Sequence, residues 1–357
     1  MKHYKKTLIV VILFLWHSFA SAQIITGIVY DKNTRLPVSN VSVFLDGTSI
    51  NTMTDNSGKF SLQTKSKINT KLVLRHLSYE TAFFDSPFES IPDTLYIEER
   101  DNTLDEITIS ADRYTREQKM KAFREQFLGI TRAGRSCTIM NEDDIQLFYN
   151  MQTRRLIASS DKTIEVINNY LGYTISFVLM DFWIQFSPTY TGRALNSDGV
   201  QASFFAVVSS FTDMAPENSR IKQRRDDIYK LSSNYFFKHF ANNTLTSNEF
   251  VLYKNGLAID HMQYFAIKDT LSLKKISLIP DTDINQGLGV YLDLGQGLSG
   301  TISVLDSKKL QSTTIYFMTN SFLIDYYGNI DQIDKISFNG QMGKNRAGDM
   351  LPIDFEP

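Results

Sequence analysis

Cysteine is almost absent from this chain: Cys137 stands alone among 357 residues. No disulfide can form within it, so an exported form must be stabilised by packed cores. Histidine is scarce too, with His3 and His17 in the first 22 residues and only His76, His239 and His261 beyond them. A zinc carboxypeptidase needs a His-x-x-Glu pair plus a distant third histidine, and other zinc peptidases use a His-Glu-x-x-His helix; neither spacing occurs. Three histidines leave a Ser-His-Asp arrangement few options, and no G-x-S-x-G elbow is present. After residue 23 no window of about 18 uninterrupted apolar residues remains, which argues against a membrane helix. No catalytic, cofactor-binding or metal residue is expected on these grounds.

The first residues, MKHYKKTLIVVILFLWHSFASAQ, have the parts of a secretory signal: Lys2, Lys5 and Lys6, an apolar run from Leu8 to Trp16, and small residues at Ala20-Ser21-Ala22. Cleavage is expected before Gln23, giving a signal peptide over 1–22. No cysteine follows the run to take a lipid, so the expected location is the periplasm or the outer membrane's periphery. Without the three lysines, 34 basic residues face 39 acidic ones, a net charge of −5. Such a balance gives nucleic acid nothing to hold.

Apolar residues make up 42% of the chain and aromatics 12%, ample for about two packed domains. From Ile24 to Glu98 short alternating runs are separated by turn residues: ITGIVYD, VSVFLDG, NTMTD, GKFSLQT, KLVLRHL, ETAFF and DTLYIEE. This spacing argues for an antiparallel β-sandwich over 23–99. In TDNSGKFSL, Asp55 can close an Asx turn and Gly58 can take the positive φ of a tight hairpin.

Residues 100–114 read as a linker, and 115–357 as a second, β-rich α+β domain. Met120, Phe123, Phe127 and Ile130 recur at helical spacing between Tyr114 and Ile130, with Gly129 marking the end. A second helix is expected from about Glu217 to Phe240. Strand patterns fill the rest as a long antiparallel meander, with Asn255-Gly256 and Gly328-Asn329 as turn signals. Cys137 reads as a buried, inert residue entering a strand.

Three resemblances sharpen this outline. Gly27, Val29, Asp31, Pro37, Val41, Val43, Gly47, Thr54, Asp55, Gly58, Phe60, Leu62, Leu72, Leu74 and Tyr79 follow the pattern of the carboxypeptidase-like regulatory domain. The resemblance implies a seven-stranded prealbumin-like sandwich. Ser78 departs from it, standing where that family has glycine. LDEITISADRY, from Leu104, resembles the linker after this domain in TonB-dependent receptors, but only 243 residues follow Tyr114, too few for a plug and a large barrel. A small barrel is disfavoured by the charged helical segment and by the ending PIDFEP. Instead FREQFLGITRAGRSCTIMNEDD, INNYLGYTISFVLMDF, RIKQRRDDIYKLSSNYFFKHF and MGKNRAGDMLPIDFEP resemble Bacteroidetes exported proteins that pair the regulatory domain with a partner domain about as long as the 243 residues that follow Tyr114 here. That resemblance carries no catalytic residues.

Candidate chemistry is thin. Asp281, Asp283 and Asn285 in DTDINQG could face one hard cation, but Gln286 and Leu292 replace the glycine and glutamate of a calcium loop, so a solvated turn is expected. GQGLSG, Gly295 to Gly300, precedes a strand-like segment and not a helix, which removes the dinucleotide mechanism. Glu142, Asp143 and Asp144 read as a solvated turn. In KQRR, Lys222, Arg224 and Arg225 are the candidate partner-binding residues, set on a helix face followed by Asp226 and Asp227. The expected function is non-catalytic binding of an envelope protein or glycan. The alternative is a periplasmic hydrolase whose carboxylates meet in the second domain; a surface bordered by aromatics would favour binding, and a concave pocket with converging acids hydrolysis.

Overall fold

A computed structural model describes residues 23–89, 91–100, 113–190, 192, 194–270, 272–279 and 300–357. The signal segment, the linker from 101 to 112, DTDINQG and residues 295–299 of GQGLSG lie outside the described residues. The chain divides into two compact units, Met1–Phe44 with Ile50–Arg100 and Leu45–Ser49 with Asp101–Pro357.

The first unit has seven strands in two sheets. β1 (Gln23–Asp31), β4 (Lys59–Thr64) and β7 (Thr94–Ile97) form one, in the order β4-β1-β7. β2 (Ser42–Leu45), β3 (Asn51–Met53), β5 (Leu72–Arg75) and β6 (Ala82–Phe84) form the other, in the order β3-β2-β5-β6. Strict alternation in β4 buries Phe60, Leu62 and Thr64 and leaves Lys59, Ser61 and Gln63 in water. The turn before it works as the sequence suggests, with Asp55 Oδ1 accepting from the N–H groups of Ser57 (2.8 Å) and Lys59 (2.9 Å). It joins strands of different sheets, however, and is not a hairpin. Gly58, at φ +73°, lets this crossover pass so close to β1 that a Cβ would sit 2.5 Å from the Val29 carbonyl oxygen. Ser78 needs no positive φ, so its departure from the family pattern is harmless to the backbone.

The second unit is built from antiparallel sheets. β8 (Cys137–Ile139), β9 (Gln146–Asn150), β10 (Arg155–Ser159), β11 (Ile164–Asn168), β12 (Tyr173–Phe186) and β13 (Val200–Asp213) form the largest. β12 pairs with β11 and β10 along one side and with β13 along the other. The helix α1 (Arg116–Phe127) starts at a capping box, in which Thr115 and Gln118 each accept the other's backbone N–H. It ends where Gly129 takes φ +89°. Its buried Phe123 and Phe127 meet Phe182 (4.7 Å between centroids), Phe177 (5.3 Å) and Phe205 (5.6 Å) on one sheet face. That is the first core of the unit.

A short helix, α2 (Arg132–Arg135), packs under the chain's last residues. Gly134 and Gly348 approach so closely that a Cβ on Gly348 would lie 2.5 Å from the Gly134 Cα. The helix expected from Glu217 to Phe240 is two helices, α3 (Ser219–Tyr229) and α4 (Ser233–Ala241). Asn218 and Ser232 each cap a new start, the Ser232 hydroxyl accepting from Tyr235 N–H at 3.1 Å. Ser232 offers the backbone a competing acceptor, so the chain breaks between the two helices there.

α4 carries Phe236, Phe237 and Phe240 into a second core. Around it lie β14 (Phe250–Lys254), β15 (Leu257–Ile259), β18 (Gly300–Asp306), β19 (Gln311–Phe317) and β21 (Ile336–Gly340), in the order β15-β14-β18-β19-β21. β16 (Phe265–Thr270), β17 (Leu273–Leu278) and β20 (Ser321–Ile324) make a separate sheet. Among the described residues the expected long meander is instead three sheets built over two aromatic cores. Asn255 and Gly256 both have positive φ and close the β14–β15 hairpin. Gly328-Asn329 makes a turn with only one bridge behind it, Ile324 to Ile330.

Candidate interaction face

The helix α1 covers one face of the six-stranded sheet. On the opposite face, Phe148 of β9 stands directly across from Ile157 of β10, Ile157 from Trp183 of β12, and Trp183 from Phe204 of β13. Four strands at about 4.8 Å spacing make this a row of roughly 14 Å. Phe148, Ile157 and Phe204 are 37%, 40% and 44% exposed, so the row lies open. The next row holds Asn150, Arg155, Gln185 and Ala202 in the same register.

Trp183 is the centre of this face. From the β13 side the Phe204 ring stacks against it at 5.9 Å and 25°, and the Arg155 guanidinium, from the β10 side, lies 4.6 Å from its centroid. Arg155 Nε donates to Gln185 Oε1 at 3.4 Å, leaving the terminal nitrogens of the guanidinium for an acceptor from outside. At Met180, 52% exposed, β12 carries one residue more than β13, a bulge that ends the apolar row beside Asp181.

The sequence-derived candidates are placed elsewhere and do not form one surface. Lys222 is exposed, Arg224 lies over the Tyr170 ring at 4.6 Å, and Arg225 is buried at 5% exposure. Arg225 donates to both Asp213 carboxylate oxygens (2.7 Å each), to Leu171 O (2.7 Å) and to Gly172 O (3.1 Å), over the Tyr173 ring. It holds α3 onto the sheet, with four of its five N–H donors already given to that contact.

Three acidic groups of this unit are similarly committed. Arg124 forks onto Glu142, and Lys162 reaches Asp144 at 2.8 Å. Burial pushes the Asp349 carboxyl up, and it accepts from the Thr131 hydroxyl at 2.6 Å. Among the described residues no three His, Cys, Asp or Glu side chains converge on a metal position. Burial drives the Cys137 thiol up to about 12. No helix among the described residues is long and apolar enough to cross a membrane.

The first unit contains a cleft of about 440 Å³ bordered by Asp31, His76, Tyr79 and Glu99. Its polar groups are turned onto one another. The Thr34 and Asn33 N–H groups and the Tyr79 hydroxyl hold the Asp31 carboxyl below its usual range, and burial with that bond raises Tyr79 to about 12. His76 Nδ1 accepts from Ser78 N–H at 3.2 Å, and burial lowers its pKa.

The sequence reading missed Phe148, Ile157, Trp183 and Phe204. Their signal was present as consecutive apolar positions, LFY, LIA, FWI and FF, where a strand wetted on one face would alternate. No curated protein matches the chain. Residues 25–109 match the family model described as CarboxypepD_reg-like domain, a non-catalytic module that accounts for the first unit.

Proposed function

We propose that this is a non-catalytic exported protein of the cell envelope that docks a protein partner on the open face of its six-stranded sheet. The observation that carries the reading is the registered row Phe148–Ile157–Trp183–Phe204 beside Arg155. Exposed apolar surface in one patch marks interaction sites, and aromatic residues, methionine and arginine are the side chains enriched at the centres of protein interfaces. A protein is favoured over a glycan because a sugar ring stacks on an open aromatic face, whereas Trp183 is flanked by Phe204 and Arg155. The unspent guanidinium nitrogens fit a partner carboxylate.

The test is crosslinking and copurification from native cells, comparing the wild-type chain with Arg155→Glu, Phe204→Ala and, as a control on another surface, Lys222→Glu. One partner lost in the first two variants and kept in the third supports the reading. Equal recovery with all four chains sinks it, as does a glycan recovered in place of a protein. Turnover of envelope polysaccharide by the pure chain would revive the hydrolase reading.

A further inference from the structure

We infer that β13 is the self-association edge of this protein, and that a second copy of the chain adds its own β13 there, antiparallel, about a two-fold axis at Phe205. β13 is 14 residues long and pairs with β12 on one side only. On its other side Gly47 N–H donates to Ser209 O (2.7 Å), Ser209 N–H to Asp46 Oδ1 (2.9 Å) and Phe211 N–H to Thr48 O (2.9 Å). Backbone groups of a strand alternate sides, so Ser203, Phe205 and Val207 send their N–H and C=O groups to the same outer edge. Among the described residues those groups have no partner.

Natural edge strands are blunted by charge, proline or shortness. From Val200 to Phe211 this edge reads VQASFFAVVSSF, with no charge and no proline. The Gly47–Thr48 segment shows that the edge accepts extended backbone, since Thr48 bridges Ser210 as a parallel strand would.

A second copy fits better than an unrelated strand because the edge is complementary to itself. Closed two-fold pairing demands that one strand match its own reverse. With the axis at Phe205, its N–H and C=O meet those of the other Phe205, and Ser203 meets Val207. On the open face the same register sets Phe204 of each copy against Ala206 of the other, a large ring over a small side chain. Within β13 itself no like charges meet across the axis. β13 carries an extra residue at Gln201, between the pairs Gln185–Ala202 and Phe186–Val200, so the strand bends away before it reaches the neighbour's Gly47–Thr48 segment.

Sedimentation equilibrium of residues 23–357 over a range of concentrations tests this. The wild-type chain is expected at twice the monomer mass. Val207→Pro removes one outward N–H and leaves the β12 ladder its donors. Ala206→Lys sets a charge against the facing Phe204 without touching the backbone. Both variants are expected as monomers with unchanged circular dichroism; Ala206→Lys decides the matter if the proline variant fails to fold. A wild-type chain that stays monomeric at all concentrations, or an Ala206→Lys chain that still dimerises as tightly, overturns the inference.

Discussion

Replacing Arg225 with alanine separates two accounts of the basic helix, because a docking residue can be removed without harm to the fold and a buried tether cannot. The side chain is 5% exposed and makes four hydrogen bonds, two of them to Asp213. Its loss leaves a carboxylate whose side chain is 32% exposed, so part of the stranded charge is relieved by water. Breaking a fully buried pair costs about 3–5 kcal/mol, and discounting for that exposure gives about 3 kcal/mol here. At roughly 2–4 °C per kcal/mol for a domain of this size, Tm falls by about 6–12 °C. Thermal and urea unfolding followed by circular dichroism measure it. Asp213→Asn in the Arg225→Ala background should recover part of the loss, since the two effects share one contact. The pair also has a pH signature. Burial pushes the Asp213 carboxyl up, but the hydrogen bonds from Arg225 and the Ala215 N–H outweigh it and leave the group below its usual value. A depressed carboxyl contributes stability above its unfolded pKa of about 3.9 and loses it as pH falls through the folded value. That acid-side loss should be missing from Arg225→Ala. A Tm change under about 2 °C, with partner binding lost, would refute the tether and restore the docking role.

Burial lowers the pKa of His261, and among the described residues its Nε2 has no hydrogen-bond partner. Its neutral form is therefore the folded one, and stability should fall as pH drops below about 6.5 toward the folded value; a wild-type chain whose acid-side Tm profile matches that of His261→Gln would contradict this. Gly348→Ala places a Cβ 2.4 Å from the Leu128 carbonyl oxygen and 2.5 Å from the Gly134 Cα, backbone on both sides. A loss of about 3 kcal/mol is expected in urea unfolding, against about 1 kcal/mol for Gly256→Ala, which meets open space but keeps a positive φ. The Cys137 thiol, held near 12, should ignore Ellman's reagent at pH 8 until the chain is unfolded, and rapid labelling of the native protein would be the contrary result.

What the sequence disclosed, and what it hid, divides by the range of the interactions involved. Turns and caps were legible because their chemistry is local. Gly58, Gly129 and Gly256 took the positive φ that the lack of a Cβ permits, Asn255 joined Gly256 there, and Asp55 closed its turn with its carboxylate. Alternation in KFSLQT and the apolar stripe of α1 disclosed strands and a helix for the same reason. The break at Ser232 was missed because apolar periodicity runs across it, from Ile228 to Phe240, and masks a capping serine. The burial of Arg225 was hidden for a related cause. Neighbouring Lys222, Arg224, Asp226 and Asp227 make the segment look solvated, but at 100° per residue position 225 turns toward Leu171, Gly172 and Asp213.

The open face could not have been read from any one strand. Leu147-Phe148-Tyr149 says only that both sides of β9 are apolar, which equally describes a strand buried on two faces. The distinction depends on where the covering helix falls, and α1 covers only the side carrying Tyr149, Phe182 and Ile184. The row also depends on register, since a slip of one residue between β10 and β12 would turn Ile157 and Trp183 to opposite faces. Register here is set by burial on the core side. Leu156 pairs with Ile184 and with Tyr149, and keeping all three inside forces Ile157, Trp183 and Phe148 outward together. The open face is therefore fixed by the core behind it, and substitutions on the row are expected to alter the proposed binding while leaving the register, and the fold it defends, in place.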